Sequence, residues 1–240
     1  MDPTGVPAHG EHPAVVTRDQ VPSAPPGARE LVIADKKATL ALLAQRGCIG
    51  LHAWLARRDR LDHPDRLLLE LEAPRGGGAT ALREGARRCR DLLDALGLPA
   101  FLGTSGTEGL HVVVPLDREA GFDEVRAFAR DVATRLAERH SDVLTTASAD
   151  AAGRGRVRLD VERNAWGRTA IAPYAVRARP EAPVATPLDW GELDHASPRA
   201  WTLSDLAGRL EGRGDPWAGI GRHASGLEGA RRRLARLVAD

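Results

Sequence analysis

An α+β fold, a single domain in which helices flank a largely antiparallel sheet, is predicted by three observations. Strand-like and helix-like segments are mixed without the strict β-α-β alternation of a parallel sheet. Three apolar runs have the length and alternation of strands, at residues 66–73, 110–116 and 156–162. Two long segments, 80–96 and 123–139, carry apolar residues at helical spacing.

The elements follow in order. Residues 1–29 hold Pro3, Pro7, Pro13, Pro22, Pro25 and Pro26 with no period of 2 or 3.6; this predicts a disordered leader before a domain over 30–240. Asp35 is positioned to cap a helix through about Gln45, which Gly47 would stop. Ile49–Ala56 reads as a strand, Arg57–Asp65 as a charged loop and Arg66–Ala73 as a second strand. Arg75–Gly78 is a glycine-rich loop. Thr80–Leu96 places Leu82, Ala86, Cys89, Leu93 and Leu96 on one helical face, and Gly97 ends it. Pro99–Gly103 and Leu110–Leu116 read as strands. Asp123–Arg139 turns Val125, Phe128, Ala129, Val132 and Leu136 inward, with Asp123 and Glu124 at its positive end.

Asp142–Thr146 is a short extended piece, and Gly153–Gly155 turns the chain. In Arg156–Glu162, Arg156, Arg158, Asp160 and Glu162 alternate with Val157, Leu159 and Val161. Thr169–Arg179 is extended and interrupted by Pro173; Pro180–Pro187 resembles a linker. Leu203–Leu210 predicts a short helix. Ser225 and Glu228 form a capping-box pattern for a last helix through Val238.

Composition narrows the function classes. Charges nearly cancel, at 34 basic against 33 acidic residues, so no overall basic field is present. Lysine occurs only at Lys36 and Lys37, so phosphate contacts would fall mainly to arginine, which binds bidentately. Two cysteines make neither a disulfide scaffold nor a zinc cluster. No apolar run approaches a membrane span and no secretory pattern opens the chain, so a cytoplasmic protein with no membrane partner is expected.

Chemistry can gather on one sheet face. Glu70 and Glu72 are two apart and share a side of their strand; Asp160 lies mid-strand elsewhere. Three converging carboxylates would need cations, and a pair of divalent ions would serve; a solvated sheet face is the other reading. Thr104–His111 (TSGTEGLH) can cradle phosphate with backbone N–H groups, or be an ordinary glycine turn. His52 is a phosphate donor or a half-buried core residue.

These motifs, in this order, resemble the polymerase domain of bacterial ligase D, in the archaeo-eukaryotic primase–polymerase superfamily. The segments that carry the resemblance are GLHAWLARRDRLDHPDRLLLELEAP (50–74), TSGTEGLHVVVPLD (104–117), VRLDVERNAWGRTAIAPYAVRARPEAPVATPLDWGEL (157–193) and DPW (215–217). The resemblance implies a primase–polymerase-like sheet and places the family's metal-binding acids on Glu70, Glu72 and Asp160. It places triphosphate-binding groups on His52, Ser105, His111, Arg163 and Arg177. It further implies two divalent ions, Mn²⁺ or Mg²⁺, and nucleotide addition from NTP or dNTP at DNA ends or gaps in non-homologous end joining. The implied partners are Ku and a DNA ligase, and the implied setting is the nucleoid. Two departures stand out. Glu-x-Glu replaces the family's Asp-x-Asp, which can displace each carboxylate by roughly 1 Å. No residue in 1–29 matches the family's N-terminal lysine-bearing segment, so none of its roles is carried over. A nucleotide- or DNA-end-binding module of the same fold, with weakened chemistry, is the alternative.

Overall fold

The computed structural model describes residues 17–20, 30–74, 78–148 and 155–239. The chain divides into two compact units, one running to Leu51 and one beginning at His52.

In the first unit, β1 (Thr17–Gln20) pairs antiparallel with β2 (Glu30–Ile33), with Thr17 opposite Ile33. Thr17–Gln20 is thus a strand within the stretch expected to lack structure; the rest of 1–29 lies outside the described residues. Helix α1 (Lys37–Gln45) follows. Its N-cap is Lys36, with no side-chain cap, and not Asp35 as the pattern suggested. The chain leaves the helix at Gly47, where φ is +76°, a conformation natural to glycine.

In the second unit the elements are β3 (His52–Trp54), β4 (Ala56–Arg57), β5 (Arg60–Pro64) and β6 (Arg66–Glu72), then α2 (Ala79–Ala95), β7 (Phe101–Thr104), β8 (Gly109–Pro115) and α3 (Phe122–Arg139). After these come β9 (Leu144–Thr145), β10 (Val157–Asp160), β11 (Thr169–Ile171), β12 (Pro187–Leu188), α4 (Leu203–Arg213) and α5 (Glu228–Ala239). The loops expected at residues 75–78 and 153–155 lie largely outside the described residues.

Six strands form one sheet in the order β12-β7-β8-β6-β10-β9. Every neighbouring pair is antiparallel except β10 and β9. This is the mixed, largely antiparallel sheet the sequence predicted. Helices α2 and α3 pack on one face. Leu67, Leu69 and Leu71 of β6 and Leu110, Val112 and Val114 of β8 point to that side, where Leu82, Cys89, Val125, Phe128 and Val132 meet them. All are essentially buried, and each large apolar side chain removed from water contributes about 1.5–3 kcal/mol. Gly85 of α2 explains how closely helix and sheet approach: a Cβ there would lie 3.0 Å from Leu144 Cδ2 and 3.2 Å from Leu71 Cδ2. Helix α5 adds Ala230 and Leu234 to the same core.

The opposite face is treated differently along its length. Leu68 and Val113 are covered by a smaller cluster with Leu55, Phe122, Ala170 and Trp217. Beyond them the same face turns polar.

Three local expectations change. The charged run 57–65 is no loop: β4 and β5 pair within it. Its charges find partners, with Asp65 held by Arg57 at 2.9 Å and Arg66 at 2.8 Å, and Arg118 held by Asp59 at 2.7 Å. Strand 156–162 shortens to Val157–Asp160, because the Glu162 N–H donates to Asp160 Oδ1 at 2.7 Å and starts a 3₁₀ turn over Glu162–Asn164. Glu162 therefore leaves the strand's polar face and pairs with Arg126 and Arg130. Ser225 does not cap α5: its hydroxyl donates to the His223 carbonyl, while Glu228 pairs with Arg232.

Candidate functional site

Alternation along β6, β8 and β10 decides which side chains reach the open face. With even positions of β6 turned away from the helices, Glu70 and Glu72 follow Leu68 there. Register then aligns their partners. Asp160 is opposite Glu70, Glu70 opposite His111, and His111 opposite Gly103. One cross-strand row therefore runs Asp160, Glu70, His111, Gly103 over four adjacent strands. Arg158 is opposite Glu72 in the next row on that face.

The row is tightly interlocked. Glu70 Oε1 lies 3.6 Å from His111 Nε2, an electrostatic contact longer than a hydrogen bond, and Glu70 Oε2 accepts from Arg163 Nε at 3.3 Å. Burial pushes the Glu70 carboxyl up, but the neighbouring His111 and Arg163 outweigh it and hold the group at about 2. Arg158 bridges the other two acids, reaching Glu72 Oε2 at 2.6 Å and Asp160 Oδ2 at 2.9 Å. Both Asp160 oxygens are thus engaged, one by Arg158 and one by the Glu162 N–H.

Asn164, fully buried, braces this arrangement from behind. Its Oδ1 accepts from the Leu68 N–H at 2.9 Å, and its Nδ2 donates to the carbonyls of Leu68 and Val161. It ties the turn that carries Arg163 to the strand that carries Glu70. Neither Asn164 nor Arg158 was assigned a role from sequence. Arg158 was visible in the alternation of its strand, but nothing local to Asn164 reports a contact with Leu68.

Within the Thr104–His111 segment, residues 105–108 form the turn between β7 and β8. Ser105 is buried, and its Oγ accepts from the N–H groups of Thr107 and Gly109. The hydroxyl therefore organises the loop from within. Gly106 has φ +71°, and a Cβ there would lie 2.7 Å from Arg177 Cγ. The Arg177 stem thus crosses directly over this turn. Among the described residues no ion pair holds its guanidinium. His52 stands at the start of β3, opposite Ile171 of β11.

A small cavity adjoins the row. Its walls include Trp54, Arg66, His111, Thr186 and Trp217. Trp217 closes one side: its Nε1 donates to the Leu102 carbonyl at 2.9 Å, and its ring lies where any Cβ on Gly103 would meet it at 3.1 Å. Asp215 sets that ring by accepting from the Trp217 N–H and from the Tyr174 hydroxyl.

The structure thus joins Glu70, His111 and Arg163 in one chain of contacts and Glu72, Arg158 and Asp160 in another, and it brings Ser105 and Arg177 together at Gly106. As donors, three carboxylates on one face suit a hard divalent cation. As they stand, however, guanidinium groups occupy them, and among the described residues no group of three or more His, Cys, Asp or Glu is arranged to hold a metal ion. No helix among the described residues is long and apolar enough to cross a membrane.

This chain is similar to known proteins in both sequence and fold. A family model described as the LigD primase-polymerase domain matches residues 7–217. The multifunctional non-homologous end joining protein LigD of Pseudomonas aeruginosa is 34% identical over 92% of this chain and 26% of that protein. Its namesake in Mycobacterium bovis is 30% identical over 89% of this chain and 30% of that protein. The chain therefore spans between a quarter and a third of the length of these two relatives. Among solved structures, the polymerase domain from Mycobacterium tuberculosis ligase D in complex with DNA superposes with a TM-score of 0.80 at 29% identity, over 90% of this chain and 77% of that one.

Proposed function

The chain belongs to the LigD primase-polymerase domain family, and from that premise we propose that it is a nucleotidyltransferase that adds NTP or dNTP to DNA ends or gaps in non-homologous end joining. The observation that carries this reading is the cross-strand row in which Asp160, Glu70 and His111 share one open sheet face.

In this reading Glu70, Glu72 and Asp160 would hold two divalent ions, Mn²⁺ or Mg²⁺. Ions bound there would activate the primer 3′ hydroxyl and stabilise the charge that builds at the α-phosphate. The chain's own groups do the rest. Arg163 and Arg177 bind the triphosphate oxygens, as guanidinium groups do with bidentate geometry. The Ser105–Gly109 turn lies beside Arg177, and His111 presents Nε2 to the face that carries Glu70. His52 is assigned to the triphosphate by family resemblance. Asn164 fixes the spacing between Arg163 and Glu70. Ku and a separate ligase are the partners that the family context supports, acting at the nucleoid.

A second reading is favoured by one observation. Arg158 already spans Glu72 and Asp160, as expected of a nucleotide- or DNA-end-binding module with weakened chemistry.

Primer extension on a short gapped duplex with Mn²⁺, using NTPs and dNTPs separately, tests the two. Extension that disappears in Asp160→Ala supports the transferase. NTP binding without product, lost in Arg177→Ala, supports the binding module. Extension unchanged in Asp160→Ala removes the acid row from the chemistry.

A further inference from the structure

We propose that Arg158 is a resident counter-cation that competes with divalent metal for Glu72 and Asp160, and so sets the metal affinity of the site. This rests on the reading of Glu70, Glu72 and Asp160 as the metal-binding acids.

Position comes first. Arg158 lies directly opposite Glu72 in the β6–β10 register and two residues before Asp160 on its own strand. Alternation therefore puts all three side chains on one face. The guanidinium reaches both carboxylates, at 2.6 and 2.9 Å. The contacts come from inside the face: the Arg158 side chain is 24% exposed, and its Nε is buried without a hydrogen-bond partner. A surface arginine on a flexible stem would be solvated at all of its nitrogens.

Charge comes second. Three carboxylates face two guanidinium groups, Arg158 and Arg163. The carboxylates outnumber the guanidinium groups by one, and without Arg158 they outnumber them by two, which suits divalent ions better. Metal binding at Glu72 and Asp160 is therefore an exchange in which the guanidinium leaves as the ion arrives. Arginine stays protonated throughout, so it can be displaced but not neutralised.

A second feature at this face points to a ligand. The His111 side chain is 8% exposed, and its Nε2 points at Glu70 from 3.6 Å with no hydrogen-bond partner. A buried ring nitrogen left unsatisfied is costly. Here it borders the same carboxylates that Arg158 holds.

The test is Mn²⁺ binding by the full chain without nucleotide or DNA, followed by the loss of the free-ion EPR signal. Wild type is compared with Arg158→Met, which keeps the stem and removes the charge, and with Arg158→Lys, which keeps the charge but cannot bridge with a planar fork. Asp160→Asn is the control for site binding. The expected result is Mn²⁺ affinity at least tenfold above wild type in Arg158→Met and an intermediate gain in Arg158→Lys, with binding lost in Asp160→Asn. Arg158→Lys alone carries the comparison should the methionine variant not fold. Equal affinity in wild type and the Arg158 variants, again lost in Asp160→Asn, overturns the role of Arg158 and leaves the metal reading standing. No Mn²⁺ binding in any variant overturns both.

Discussion

Glu70 and Asp160 stand directly opposite one another across the antiparallel pair β6–β10. Two carboxylates in that position repel. Each is met by its own cation, Glu70 by Arg163 and Asp160 by Arg158. The pair is close in space only because two strands about 90 residues apart in the chain are adjacent in the sheet.

Asp160→Asn should separate chemistry from fold. It removes one carboxylate and leaves Arg158 paired with Glu72 alone. Mn²⁺-dependent primer extension is expected to fall by about 10²-fold or more, the scale set by misplacing a reacting group. Circular dichroism should keep its wild-type form. Retained extension would dissociate Asp160 from the reaction.

Arg177→Ala and Arg163→Ala should differ in what they cost the fold. Arg177 has no ion pair among the described residues, so NTP affinity should drop roughly tenfold, as for a lost charge-assisted hydrogen bond, while the melting temperature stays put. Arg163 also braces Glu70 at 3.3 Å, so its removal should lower both. Isothermal titration with NTP, paired with thermal unfolding, reads the difference.

Asn164→Ala should be among the most destabilising polar substitutions. It deletes three buried hydrogen bonds and strands the N–H and C=O of Leu68 without their side-chain partner. A loss of about 2–4 kcal/mol is expected in urea unfolding, together with weaker NTP binding, because the turn carrying Arg163 loses its anchor. A loss below about 0.5 kcal/mol would mean that the clamp is dispensable.

Asp65 should make stability depend on pH in acid. Burial pushes its carboxyl up, but Arg66 and Arg57 outweigh that and hold it below its usual value. Its pKa is thus lower folded than unfolded. The stabilisation is fully present above the unfolded value of about 3.9 and is lost as pH falls through the depressed folded value. Asp65→Asn should therefore be less stable than wild type at pH 7, by about 1–3 kcal/mol. The gap should narrow as the pH is taken below 3.9. A gap of constant size down to pH 2 would show that the hydrogen bonds of Asp65, and not its charge, carry the effect.

Gly109→Ala should disturb the sheet itself. A Cβ at Gly109 would meet the Leu71 carbonyl oxygen at 2.3 Å, which real contacts do not allow. The β6–β8 pair must open there, beside Glu72, at a cost of about 1–3 kcal/mol or more. Hydrogen exchange at the amides around Leu71 and Gly109 should quicken. Unchanged protection would show that the strand absorbs the methyl elsewhere.

Much of this molecule was readable in its sequence. Helical spacing in residues 80–96 and 123–139 identified the apolar faces that are buried, from Leu82 to Leu136, because a helix's inward face depends only on its own period. Strand alternation likewise separated Glu70 and Glu72 from Leu69 and Leu71. It failed where short-range bonds competed with the pattern. Glu162 continues the alternation of Arg158 and Asp160, yet Asp160 accepts its N–H and turns it out of the strand. Charged composition misled over 57–65, because a hairpin is invisible when its stabilising ion pairs involve residues as distant as Arg118.

Local periodicity and motif spacing were enough for the fold class and the two sheet-covering helices. It took the packed sheet to set β10 beside β6 and Asp160 opposite Glu70, and to lay Arg158, one residue in a polar row, across Glu72 and Asp160. Strand order and register depend on packing between segments far apart in the chain. Which cation meets which carboxylate therefore follows from that packing and is written in neither strand alone.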